Sequence, residues 1–162
     1  MVILLGCTKP KDNIFVVKVG NHYCNNRRLM IVKDKQIHLS FQVNDSWNWE
    51  YGMELSKVSG LSFGDPKKNS IRLAVRSTEN GSQMYAFAHV DGKITIRELA
   101  TIGNGWHDCS VSYETDRFVV VMDEWRAVIH AKKGLKMAEL CYPYIGGDYT
   151  IDHDWEVPIE FE

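Results

Sequence analysis

Three groups of residues in this chain have types and spacings that could do chemistry. Trp47-Asn48-Trp49-Glu50-Tyr51 combines flat aromatic faces with an amide and a carboxylate. Such rings stack on sugar faces while the polar groups bond hydroxyls, so Trp47, Asn48, Trp49 and Tyr51 are candidate glycan contacts. The same two indoles could instead cap one end of a core. Asp148, Asp152, His153 and Asp154 crowd the stretch after Gly146-Gly147. Carboxylates in a glycine-containing loop can hold calcium, which makes Asp148, Asp152 and Asp154 candidate ligands, although their spacing is not that of an EF-hand. The alternative is structural, with His153 and Asp154 anchoring backbone amides. Third, Leu4-Leu5-Gly6-Cys7 has the form of a bacterial lipobox, in which the Cys7 thiol would carry a diacylglycerol.

A lipoprotein signal needs a basic start and a longer apolar stretch than residues 1–6 supply. The lipobox therefore predicts that the native gene starts upstream, and residues 1–13 are read as a truncated signal and polar tether. That places the protein at a bacterial envelope, with membrane contact only through an anchor at Cys7. The other cysteines are Cys24, Cys109 and Cys141. None belongs to a CxxC pair, so the common zinc spacing is missing. Cys109 and Cys141 lie in strand-like runs and read as buried thiols, while a disulfide among the three stays open. No Gly-x-Ser-x-Gly elbow or phosphate loop occurs. Asp123 and Glu124 are adjacent and would point to opposite faces of a strand.

The elements that must position these groups are strands. Ile37, Leu39, Phe41 and Val43 alternate with Gln36, His38, Ser40 and Gln42, and Ile71, Leu73 and Val75 alternate with Arg72, Ala74 and Arg76. Cys109, Val111 and Tyr113, and then Val157, Ile159 and Phe161, repeat the pattern. Period-two alternation sends one set into a core and the other outward. Phe118 to Met122 is apolar throughout and reads as buried on both faces. Asp91-Gly92 predicts a two-residue hairpin, and Asn80-Gly81, Asp65-Pro66 and Gly103-Asn104-Gly105 mark further turns. Trp125 to Leu140 is broken by Lys132-Lys133-Gly134 and reads as two short strands. About ten short strands predict an all-β, two-sheet antiparallel sandwich over residues 14–162. The 162 residues carry a net charge of -2 with no basic stripe, which argues against a nucleic-acid surface. No apolar run is long enough to span a bilayer.

Two segments carry a family resemblance. Lys57-Val58-Ser59-Gly60-Leu61-Ser62-Phe63-Gly64 with Asn69-Ser70-Ile71-Arg72-Leu73-Ala74-Val75-Arg76, and Tyr142-Pro143-Tyr144-Ile145-Gly146-Gly147 with Ile151-Asp152-His153-Asp154, resemble blocks of a group of uncharacterised Bacteroidetes proteins. Tyr85 to Lys93 is similar to a strand and turn between them, so the resemblance spans roughly residues 35 to 162. It implies a concanavalin-like jelly roll, often with a lipoprotein signal, and assigns no activity. The sequence departs from the group's pattern at Ala74-Val75, Ile145 and Ile151-Asp152. Gln36-Ile37-His38 resembles the "Q-I-H" strand of family 7 alginate lyases, where Gln and His help neutralise a uronate and assist proton abstraction. Here the Arg72 to Arg76 strand follows that motif instead of preceding it, and the lyases' "Y-F-K-A-G" strand is missing. The "E-x-D-x-x-E" motif of jelly-roll endoglucanases is also missing.

The expectation from sequence is a non-catalytic, envelope-associated domain with a glycan as ligand and no cofactor other than calcium. The alternatives are a polysaccharide lyase or glycosidase of the same fold, and a phage or envelope structural protein.

Overall fold

The computed structural model describes residues 14–49, 55–148 and 150–162. Residues 1–13, with Cys7 and the tether, lie outside the described residues, as do Glu50 and Tyr51. The described residues form twelve strands in two six-stranded antiparallel sheets. The first sheet runs β1 (Ile14–Val17), β12 (Trp155–Phe161), β3 (Gln36–Val43), β8 (Gly105–Glu114), β9 (Arg117–Met122) and β10 (Trp125–His130). The second runs β2 (Ile31–Val32), β11 (Ala138–Cys141), β4 (Ser56–Ser62), β5 (Asn69–Thr78), β6 (Gly81–Val90) and β7 (Lys93–Ile102).

The predicted inward sets fill the space between the sheets. Ile37, Leu39, Phe41, Ile71, Leu73, Val111 and Ile159 are all buried. The Asp91-Gly92 link closes β6 on β7 with φ of 47° and 82°, the doubly positive turn that matches strand twist. Phe118, Val120 and Met122 face the core and Val119 is buried as well, while Val121 is half-buried. The two strands read between Trp125 and Leu140 are present, but they belong to different sheets: β10 pairs with β9, and β11 with β4.

One end of the core is built from indoles. Asn44 Oδ1 accepts the Ser46 N–H at 3.0 Å, and this side-chain turn folds Trp47 back under the sandwich. Trp47 is 1% exposed, donates from Nε1 to the Glu156 carbonyl at 2.8 Å, and meets Trp155 edge-on. Trp49 is 6% exposed and also meets Trp155 edge-on. The exposed stacking platform expected at Trp47 and Trp49 is therefore corrected: both indoles are core, because the loop that carries them turns inward.

Candidate functional site

Alternation assigns Arg72, Ala74 and Arg76 of β5 to the outer face, yet β4, β5 and β6 are largely buried on both faces. Strand register explains which groups meet there. Arg72 lies opposite Gly60 on β4 and Phe87 on β6, and Phe87 lies opposite Ile96 on β7. In the next row Lys57 pairs with Ala74, Ala74 with Tyr85, and Tyr85 with Glu98. Ser70 pairs with His89, and Arg76 with Gln83. The outer face of the second sheet thus carries three cations among aromatic rings.

The contacts are cation on ring. Lys57 Nζ sits 4.4 Å from the Phe87 centroid and donates to the Leu55 carbonyl at 2.6 Å. The Arg72 guanidinium lies 5.6 Å from the same ring, and that of Arg76 lies 5.7 Å from Tyr85. Gly60 makes this possible: a Cβ there would meet the Ile71 carbonyl and the Cα and Cγ of Arg72. Gly146 plays the same part beside Lys57, since a Cβ there would approach Nζ and the Leu55 carbonyl.

Electrostatically the centre of the face is unfinished. Arg72 Nε is buried and has no hydrogen-bond partner, and among the described residues Arg72 forms no ion pair with a carboxylate. Arg72 Nη2 donates to His89 Nδ1 at 3.4 Å. Burial lowers the guanidinium's pKa, because a cation loses hydration there. Burial, then Arg72 and Lys57, hold His89 below its ordinary value, so it is neutral at physiological pH. Cys141, opposite Gly60 on β11, has its thiol pushed up to about 11, chiefly by burial, and stays protonated. Cys24, Cys109 and Cys141 are free thiols.

The residues singled out from sequence sit elsewhere. Asn48 is exposed in a cleft of about 250 Å³ at the end of the sandwich, beside Ser77, Thr78, Glu79 and Asn104. Asp148 and Asp152 are exposed, and Asp152 accepts from His153 Nδ1 at 2.7 Å. Asp154 turns the other way, accepting from Lys18 Nζ and the Val19 N–H, both at 2.9 Å. Asp152 and Asp154 thus have separate partners, and no three potential ligands converge anywhere among the described residues. Gln36 and His38 bond each other at 2.8 Å on the outer face of the first sheet, across the core from Arg72. A lyase-like pairing of that motif with the arginine strand is therefore not formed.

Sequence reasoning did not single out Lys57, Tyr85, Phe87 and His89 as site residues, because strand register alone brings them beside the arginines of β5. A signal was available. The turn at Glu79-Asn80 sets the β5–β6 register, and that register puts the arginines of one strand beside the rings of the next.

No protein-family model and no curated protein sequence matches the chain. Solved structures match it in fold. The alginate lyase AlyC3 gives a TM-score of 0.62 at 11% identity, covering 92% of this chain and 74% of that one. The laminarinase catalytic domain of Thermotoga maritima gives 0.59 at 11% identity, covering 91% and 74%. A functionally unknown protein from Saccharomyces cerevisiae gives 0.58 at 9% identity, covering 96% and 92%. At such identities the likeness establishes the fold, the two-sheet sandwich that the alternation pattern predicted and of the jelly-roll kind that the resemblance implied; a Bacteroidetes or lipoprotein origin rests on the sequence resemblance alone.

Proposed function

We propose that the outer face of the second sheet binds an acidic glycan, a sugar chain bearing carboxylates, without cleaving it. The observation that carries this reading is Arg72. Among the described residues the half-buried Arg72 guanidinium has no carboxylate partner, and a poorly hydrated cation of this kind gains from a counter-charge that a ligand carboxylate would supply. Phe87 and Tyr85 are themselves buried and hold the Arg72 and Arg76 guanidinium groups in place on this face. The similar lyase AlyC3 has been captured with dimannuronate, an acidic disaccharide, which supports the ligand class.

The non-catalytic part rests on two points. In a neutral imidazole one nitrogen accepts and the other donates; Nδ1 of His89 already accepts from Arg72, which leaves Nε2 as a donor to ligand instead of a base. Tyr85, the phenol on the same strand, is four residues from His89, about 13 Å along the strand, too far for the two to serve one scissile bond.

Calorimetric titration with an oligouronate and a neutral oligoglucan of equal length tests the reading. The acidic chain should bind and the neutral one should not, and Arg72→Met should weaken binding more than about tenfold. Equal binding of the neutral chain, or an unchanged Arg72→Met, overturns it. Release of unsaturated sugar on incubation overturns the non-catalytic part. Attachment to a bacterial envelope through Cys7 belongs to the same proposal and is supported by Leu4-Leu5-Gly6-Cys7. Mass spectrometry of the N-terminal peptide from bacterial membranes checks it, and an unmodified Cys7 counts against it.

A further inference from the structure

The aromatic row of the outer face continues past the sheet itself. Tyr144 forms isolated antiparallel bridges with Lys57 on one side and Tyr23 on the other. Joined to the strand register, this gives one line of neighbours: Tyr23, Tyr144, Lys57, Ala74, Tyr85 and Glu98. Residues opposite each other in an antiparallel ladder point to the same side, so these side chains share the outer face. Contacts confirm the continuity, with Tyr23 and Tyr144 rings 5.0 Å apart and Lys57 Nζ 6.0 Å from Tyr144.

The two ends of this line differ. Tyr85 is buried, whereas Tyr23 is 56% exposed. An exposed ring is commonly a free rotor, but Tyr23 is clamped. The Arg27 guanidinium lies 4.3 Å from its centroid, the Tyr144 ring meets it at a steep angle, and Arg27 Nε is tied to the Cys24 carbonyl at 3.2 Å. A ring held by a cation and a second ring and still 56% exposed is a preformed stacking surface, with little ordering entropy left to lose on binding. Arg27 also brings a positive charge to that end. Adjacent strands stand about 4.8 Å apart, so Tyr23 lies roughly four spacings, about 19 Å, from Tyr85. That is the span of several linked sugar rings, not of one or two.

We infer that Tyr23 is a distal stacking subsite for the same acidic chain, which makes the protein selective for longer oligosaccharides. The inference rests on the ligand class proposed above. Wild type, Tyr23→Ala and Tyr23→Trp are titrated with uronate dimers and hexamers. Because Tyr23 is exposed, truncation should leave folding intact, which a thermal melt verifies. Wild type should bind the hexamer more tightly than the dimer. Tyr23→Ala should lose about tenfold for the hexamer and nothing for the dimer, and Tyr23→Trp should keep the hexamer's advantage. A Tyr23→Ala variant that binds the hexamer as wild type does overturns the subsite while leaving the acidic-glycan reading standing. Failure of wild type to bind either uronate overturns that reading and the subsite with it.

Discussion

Two aromatic groupings in this molecule look alike on paper and behave oppositely. Trp47, Trp49 and Trp155 pack edge to face at one end of the core, with no cation on any of their rings among the described contacts. Tyr23, Phe87 and Tyr85 lie along an outer face, and each has a cation against it: Arg27, then Lys57 with Arg72, then Arg76. The first grouping holds the sandwich shut. The second holds positive charge along an outer face, poorly hydrated at Lys57 and Arg72 and exposed at Arg27. Aromatic residues clustered in sequence therefore did not mark the candidate site; aromatic residues interleaved with cations across strands did.

The comparison breaks most visibly at Trp47. Trp47→Ala should lower stability by about 3 to 5 kcal/mol, the usual cost of truncating a buried aromatic. Denaturant titration measures the loss, and the folded fraction should still bind. If instead stability holds and binding disappears, the two groupings have been assigned the wrong way round.

Arg72→Met tests the other side. It removes a charge that is short of partners and keeps a long apolar stem, so the melting temperature should stay level or rise while binding is lost. A variant destabilised to the extent of Trp47→Ala would mean that Arg72 serves the fold.

A smaller effect joins the Trp47 loop to the approach to β12. His153 Nδ1 bonds Asp152 and its Nε2 bonds the Ser46 carbonyl at 2.9 Å, so both nitrogens face acceptors. Partial burial disfavours its cation, but the Ser46 carbonyl and the Asp152 and Asp154 carboxylates outweigh that, and the pKa is raised. A raised folded-state pKa means that this stabilisation is complete below the unfolded value of about 6.5 and is lost as pH climbs through the folded one. The melting temperature of His153→Gln should fall short of wild type near pH 5 and converge with it near about pH 8. A gap that widens toward alkaline pH would contradict the double-acceptor arrangement.

The smallest expected effect is none. Asp154 bonds Lys18 and a backbone amide while Asp152 bonds His153, so chelation with EDTA should leave the melting temperature unmoved. A calcium-dependent rise would restore Asp148, Asp152 and Asp154 as ligands.

Much of the frame was legible. The inward sets of β3, β5, β8 and β12 follow from alternation, since a pleated strand must bury one face. The Asp91-Gly92 turn follows from residues that accept positive φ. The same local logic failed at Trp47, where a polar run predicts a surface loop. The Asn44 side chain turned the backbone and aimed the indole inward.

By itself, then, the chain's order of residues determined the strands, the hairpins and the sandwich, because those depend on neighbours a few positions apart. Sheet order decided the candidate site. Tyr23, Lys57, Tyr85 and Tyr144 come from four distant stretches, and only strand pairing sets them in one row. The burial of Arg72 Nε, with no counter-charge among the described residues, comes from the assembly of β4, β5, β6 and β11 in one sheet, which no local pattern encodes.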